Sequence, residues 1–107
     1  MIAKELIDFY QPRVEKGVSF LDEYYPGWAE KIDVDALRLR SVRWCICGQI
    51  FGDFDLRPDK LSNAYLYGFA LSINDDPFPI ITPEGQDASW AALNALWLDE
   101  IHWRIDS

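Results

Sequence analysis

The sequence predicts a mainly α-helical fold in a single domain that spans residues 1–107. Apolar residues recur at helical spacing, 50% of the residues are hydrophobic and 15% are aromatic, and the length suits one core. We expect about four helices in a compact domain with long irregular loops. The alternative is an α+β fold with a short hairpin around residues 36–47.

Two helical segments are predicted before residue 26, and a proline separates them. The first covers residues 3–10, and the second begins near Pro12, because proline is favoured in the first turn of a helix. The apolar residues of the second segment recur as on an amphipathic helix: Val14, Val18, Leu21 and Tyr25. Pro26-Gly27 is expected to end this helix.

The pattern in the middle of the chain is less regular. Residues 28–32 are expected to form one short helical turn, and Asp33 or Asp35 can cap a further turn. Apolar and polar residues alternate between residues 36 and 47, which indicates a pair of strands, while helical spacing competes with this interpretation. We favour a helix over residues 45–51.

The second half of the chain is expected to contain two helices and a loop. Residues 61–71 hold a short helix, and residues 73–85, which include three prolines, form an irregular loop. The last helix is capped by Asp87 or Ser89 and runs to about Ile105.

The C-terminal helix carries two apolar stripes. At about 100° per residue, four apolar residues share one face, which we assign to the core: Trp90, Leu93, Trp97 and Ile101. Leu96 and Trp103 lie together about 120° from that face. This second stripe is either packed in the core or left on the surface, where it would contact a partner protein or a second copy of the chain in a homodimer, so Leu96 and Trp103 are candidate interface residues.

The charge of the chain limits the classes of partner. A formal charge of −8, from 18 acidic and 10 basic residues, repels phosphates and anionic membrane surfaces, so we expect neither a nucleic acid nor a membrane partner. Arg38, Arg40 and Arg43 form the one cluster of cations, which either contacts an anionic partner or pairs with neighbouring acids. The sequence has no pattern of a signal peptide or a membrane span, so we expect a cytoplasmic protein.

The sequence contains no pattern that is typical of a catalytic or metal site. Cys45 and Cys47 stand too close together for an unstrained disulfide, and with His102 they are too few for a structural zinc site. A reactive thiol would also need His102, the one histidine, as its base. We therefore predict no enzyme, no metal and no cofactor.

Several short segments, taken in order, resemble one group of proteins. They are Leu21-Asp22-Glu23, Pro26-Gly27-Trp28, Ile32-Asp33, the run from Cys47-Gly48-Gln49 to Gly52, Tyr67-Gly68-Phe69 and the closing Trp90, Leu93, Trp97 and Ile101. Over roughly residues 17–105 the chain resembles small uncharacterised proteins encoded by phages and prophages of actinobacteria. The resemblance implies no activity. It implies a phage context, in which small acidic proteins bind host proteins.

These observations together predict a non-enzymatic, small acidic binding protein, phage-encoded, that binds and modulates or inhibits a host protein. The first alternative is a self-assembling structural or virion-associated protein. A small enzyme is the least favoured alternative, because no convergent set of polar groups accompanies the single histidine.

Overall fold

The computed structural model describes residues 4–40, 44–51, 64–71, 76 and 82–106. Within these residues the chain is mainly helical and contains no strand, which confirms the predicted fold class. None of the described helices is both long and apolar enough to cross a membrane. The described α-helices are α1 (Lys4–Tyr24), α2 (Ile46–Phe51) and α3 (Pro83–Asp106), and two 3₁₀ turns cover Trp28–Lys31 and Ala64–Tyr67.

Helices α1 and α3 pack along each other and form the centre of the structure. They run in the same direction, since Gly17 lies at Trp97 and Asp22 lies at Arg104 further along both helices. The Trp28–Lys31 turn packs on α3, and the Ala64–Tyr67 turn packs on α1.

α1 is one continuous helix, so the predicted division at Pro12 is wrong. Its buried residues form a single stripe along the whole helix: Leu6, Tyr10, Val14, Gly17, Val18 and Leu21. An interior proline costs about 3 kcal/mol of helix stability. The stripe offsets this cost, because burial of each large apolar side chain stabilises the fold by about 1.5–3 kcal/mol. The helix ends at Tyr24, and Gly27 adopts a left-handed φ of 84°, as expected from Pro26-Gly27.

The residues after α1 form the short turns that the sequence predicts. The expected helical turn over residues 28–32 is the 3₁₀ turn Trp28–Lys31. Asp33 then caps a further turn, because its carboxylate accepts the backbone N–H of Asp35 at 3.1 Å.

The helix predicted over residues 45–51 is confirmed as α2. Near the N-terminus of α2, the N–H of Gly48 donates to Sγ of Cys45 at 3.2 Å, so Cys45 acts as the capping residue of this helix. The alternative prediction is a hairpin around residues 36–47. The structure shows no strand in residues 36–40 and 44–47, and residues 41–43 lie outside the described residues.

α3 begins earlier than predicted, at Pro83 and not after Asp87 or Ser89. Thr82 caps the helix, because its hydroxyl oxygen accepts the N–H of Gly85 at 3.1 Å. Proline suits the first position of a helix, where no N–H is needed. Three residues of the predicted loop 73–85 are thus helical, and of the remainder only residues 76 and 82 are described.

The short helix expected within residues 61–71 corresponds to the 3₁₀ turn Ala64–Tyr67. Residues 61–63 lie outside the described residues. Gly68 follows the turn with a φ of 73°, a left-handed conformation that glycine adopts without strain.

α3 buries more of its circumference than predicted. The predicted core face is buried or half-buried: Trp90, Leu93, Trp97 and Ile101. Leu96 is only 8% exposed, so the core-packing alternative applies to it and it is not an exposed interface residue, whereas Trp103 is 69% exposed. The physical reason is that α1 and the Trp28–Lys31 turn both pack on α3, so more than one face of the helix is covered.

Two glycines allow the backbone of α1 to lie close to the backbone around residues 67 and 68. A Cβ atom at Gly17 of α1 would overlap the carbonyl oxygen of Tyr67 and would lie 3.1 Å from ring atoms of Trp97. A Cβ atom at Gly68 would lie 2.9 Å from Cα of Val14. α1 therefore meets the backbone around residues 67 and 68 with no side chain between them.

We expect the Gly17→Ala substitution to destabilise the fold, although alanine is the better helix former. The added methyl group has to displace a backbone carbonyl and the Trp97 ring, and overpacking of this kind costs about 1–3 kcal/mol. Chemical denaturation measures the change. The control is Gln11→Ala at an exposed position of α1, which should change the free energy of unfolding by less than about 0.5 kcal/mol. A Gly17→Ala protein as stable as the control would contradict the close approach.

Candidate functional site

A groove of about 500 Å³ opens between α1 and α3 towards their C-terminal ends. We call it the Trp103 groove. It combines one indole, one guanidinium and four carboxylates with two small side chains. Its described lining residues are Glu15, Val18, Ser19 and Asp22 of α1, and Asp99, Glu100, Trp103 and Arg104 of α3.

Trp103 is exposed although it lies on the side of α3 that packs inward. It follows Leu96 by seven residues, which turns it about 20° around the helix, so both side chains belong to one stripe. Leu96 is enclosed in the core, but at the level of Trp103 the facing part of α1 presents small Ser19. The stripe thus continues out of the core into the groove.

Arg104 holds one wall of the groove through charged hydrogen bonds to both helices. Its Nη2 donates to Oδ2 of Asp22 at 2.8 Å, and its Nη1 donates to Oε2 of Glu100 at 2.9 Å. The other carboxylate oxygen of Asp22 accepts Nε1–H of Trp28 at 2.8 Å. The guanidinium carbon also lies 5.6 Å from the ring centroids of Trp28 and Trp103. A buried tryptophan is therefore connected to the exposed one through a single ion-pair network.

The network fixes the charge states of its members. The hydrogen bond from Arg104 lowers the pKa of Asp22, more strongly than burial raises it, and the hydrogen bond from Trp28 adds to the lowering. The hydrogen bond to Asp22 chiefly raises the pKa of Arg104 against the opposing effect of burial. Both groups are therefore charged near neutral pH.

The remaining charge of the groove is negative. Glu15 and Asp99 are exposed, and neither has an ion-pair partner in the part of the chain that the structure describes. One exposed indole beside two uncompensated carboxylates is a set of groups suited to a ligand that carries both apolar and positive groups.

The predicted arginine cluster lies on a different surface. Arg38 and Arg40 flank a shallow pocket of about 360 Å³ beside Trp90. Arg40 pairs with Asp87 at 2.9 Å, and Arg38 donates to a neighbouring backbone carbonyl at 2.8 Å. Arg43 lies outside the described residues. The interpretation that these cations pair with neighbouring acids thus applies to Arg40.

The structure separates the residues that a metal or thiol site would need. Cys45 and Cys47 are both buried, whereas His102 is exposed on α3. Among the described residues, no group of three or more His, Cys, Asp or Glu side chains is arranged to hold a metal ion.

Sequence reasoning missed the α1 side of the groove and one polar anchor. Asp22 and Arg104 stand 82 residues apart in the chain, and no local pattern pairs residues at that distance. Asp76 accepts hydrogen bonds from Tyr10 of α1 and from the buried Ser89 of α3, the latter at 2.7 Å, and no local pattern indicates this anchor.

Comparison with known proteins returns no relative, since no family model, no curated protein and no solved structure matches the chain. The resemblance to proteins of actinobacterial phages therefore stays a prediction. The chemistry of the described surface carries the functional argument.

We expect the Asp22–Arg104 ion pair to make stability depend on pH in the acid range. Because the pKa of Asp22 is lowered in the folded protein, the stabilisation is complete above the ordinary aspartate pKa of about 4 and is lost as the pH falls through the lowered value. The Asp22→Asn variant should be less stable than wild type at neutral pH and should approach it as the pH falls.

The matched control is Asp8→Asn, which removes an exposed ion pair with Lys4 at 3.8 Å. It should change the free energy of unfolding little at neutral pH and at acid pH. Denaturation curves at several pH values measure the difference. A stability difference between Asp22→Asn and wild type that stays constant with pH would contradict the role of this ion pair.

Proposed function

We propose that this chain is a small, acidic, non-enzymatic binding protein that docks a partner protein in the Trp103 groove. The observation that carries the proposal is the indole of Trp103, 69% exposed in a groove of about 500 Å³. Tryptophan is enriched among the residues that dominate the binding energy of protein interfaces. A partner side chain that fills the groove would remove this apolar surface from water, which is the principal driving force for association.

The partner segment carries positive charge in this proposal. Glu15 and Asp99 leave the rim of the groove negative, and the whole chain has a formal charge of −8. Charge complementarity of this kind accelerates association and makes it weaken as salt is added. The same charge disfavours nucleic acid as a direct partner and anionic membranes as a docking surface.

The phage resemblance supplies the cellular context of the proposal. A phage-encoded protein would act in the cytoplasm of its bacterial host, where it would bind and modulate or inhibit a host protein. Docking needs no cofactor and no metal.

Self-assembly, as in a virion-associated protein, is the second candidate, because another copy can also cover an exposed tryptophan. The charge of the groove argues against this occupant: two acidic grooves brought face to face would repel each other. A heterologous partner is thus favoured over a homodimer.

The proposal predicts that Trp103→Gln abolishes capture of the partner without harming the fold. Because Trp103 is exposed, the substitution should change the free energy of unfolding by less than about 0.5 kcal/mol, whereas loss of a central interface tryptophan costs about 2 kcal/mol or more of binding free energy. Immobilised wild-type and variant chains are compared for capture of one stoichiometric protein from a bacterial host lysate.

Two further variants make the comparison specific. His102→Gln changes the exposed neighbour on α3 that does not line the groove, and it should capture the partner like wild type. The double substitution of Glu15→Gln and Asp99→Asn should weaken capture and reduce its dependence on salt. The proposal fails if Trp103→Gln captures the same partner as efficiently as wild type, or if no host protein is captured and light scattering shows that the purified chain is a homodimer that Trp103→Gln dissociates.

A further inference from the structure

A second cavity, of about 490 Å³, is walled by aromatic rings. Its described lining residues are Phe20, Tyr24, Tyr25 and Tyr67, and none of them lines the Trp103 groove. We call these four residues the aromatic cage. The ring of Phe20 contacts all three tyrosine rings, with centroids 5.2, 6.1 and 5.7 Å from those of Tyr24, Tyr25 and Tyr67 respectively.

The rings of the cage are arranged around a space and are not stacked on each other. Phe20 makes interplanar angles of 48°, 54° and 56° with its three neighbours. Tyr24 is 61% exposed and Tyr25 is 37% exposed, so aromatic surface remains open to a ligand. The cage therefore presents aromatic surface from several rings to one open cavity.

The inner wall of the cage is fixed by the core. The ring of Tyr67 stacks on Phe69 with centroids 6.3 Å apart, and Phe69 stacks on the fully buried Trp97 at 5.5 Å. Phe20 is half-buried and packs against the core as well. Two of the four rings are thus held in place before a ligand arrives, which lowers the entropic cost of binding.

The faces of aromatic rings carry partial negative charge and attract cations. The Tyr67 ring already attracts one cation, because Nζ of Lys16, which does not line the cavity, lies 4.9 Å from its centroid. The formal charge of −8 adds a long-range field that concentrates cations near the surface. Both effects select a positively charged ligand over an anion.

We infer that the aromatic cage binds a quaternary ammonium group carried by a small molecule, of which choline is the simplest. A primary ammonium or a guanidinium has N–H donors that need acceptors, and ring faces supply none beyond the tyrosine hydroxyls. A quaternary ammonium has no N–H donor, is weakly hydrated and is recognised by aromatic rings in this way. The cavity volume lies in the range of small-molecule sites.

The experiment titrates the folded chain with choline and, separately, with 3,3-dimethylbutanol, the neutral compound of the same shape. Aromatic resonances of the chain and the methyl resonances of each compound are followed by NMR. We expect saturable binding of choline in the millimolar range, with its methyl protons shifted upfield by the rings, and at least several-fold weaker binding of the neutral compound. Equal binding of the two compounds, or saturable binding of neither, would overturn the inference.

Variants locate the site. Tyr24→Leu keeps an exposed apolar side chain but removes one ring face, and it should weaken choline binding about threefold to tenfold, while Tyr24→Phe should restore most of it. The matched control is Trp44→Leu, since Trp44 is a 42% exposed aromatic residue that does not line the cage. An equal loss of affinity in Tyr24→Leu and Trp44→Leu would overturn the site. Tighter binding of a trimethyl-lysine peptide than of choline would overturn the choice of a small molecule.

Discussion

The packing of Trp97 is the interaction on which the rest of the described structure depends. Its buried indole stacks on Phe69 with an angle of 14° between the planes and meets Trp28 edge to face with centroids 5.8 Å apart. Its Nε1–H donates to the carbonyl of Gly68 at 2.8 Å. These contacts join α3 to the Trp28–Lys31 turn and to the segment of Gly68 and Phe69, and the missing side chain at Gly17 lets α1 reach the same ring. Truncation of such a side chain costs about 3–5 kcal/mol, a large part of the stability of a small domain.

Both surfaces with a proposed ligand are attached to this tryptophan. In one direction Trp28 contacts its ring and donates to Asp22, the acid that anchors the Arg104 wall of the Trp103 groove. In the other direction Phe69 stacks between Trp97 and Tyr67, the inner wall of the aromatic cage. Aromatic contacts in the core therefore support both surfaces for which we propose cationic ligands, since exposed rings in an acidic chain favour such ligands.

Local patterns were sufficient to predict the mainly helical class, α2 and the core face of α3, since periodicity and breakers act within a few residues. They were less informative where two local signals compete: the stripe of α1 prevails over Pro12, and Thr82-Pro83 starts α3 before Asp87 is reached. The exposure of Trp103 beside a buried Leu96 lies beyond any local pattern, because both occupy one stripe and only the packing of α1 distinguishes them. The groove and the cage also join side chains that are distant in sequence, so the sequence pointed to Trp103 as an interface candidate but not to the groove around it or to the cage.

The central claim is that Trp28 and Trp97 are buried in the core, whereas the indole of Trp103 is exposed to solvent in its groove. NMR of the chain labelled with 5-fluorotryptophan tests this claim most directly. The fluorine resonances of the labelled chain are assigned with single Trp→Phe variants and compared in H₂O and D₂O, because only solvent-exposed indoles show a solvent isotope shift. The account predicts a large shift for Trp103, which is 69% exposed, and none for Trp28 or Trp97, which are 1% and 0% exposed. A protected Trp103 resonance, or a solvent-sensitive Trp97, would contradict the account.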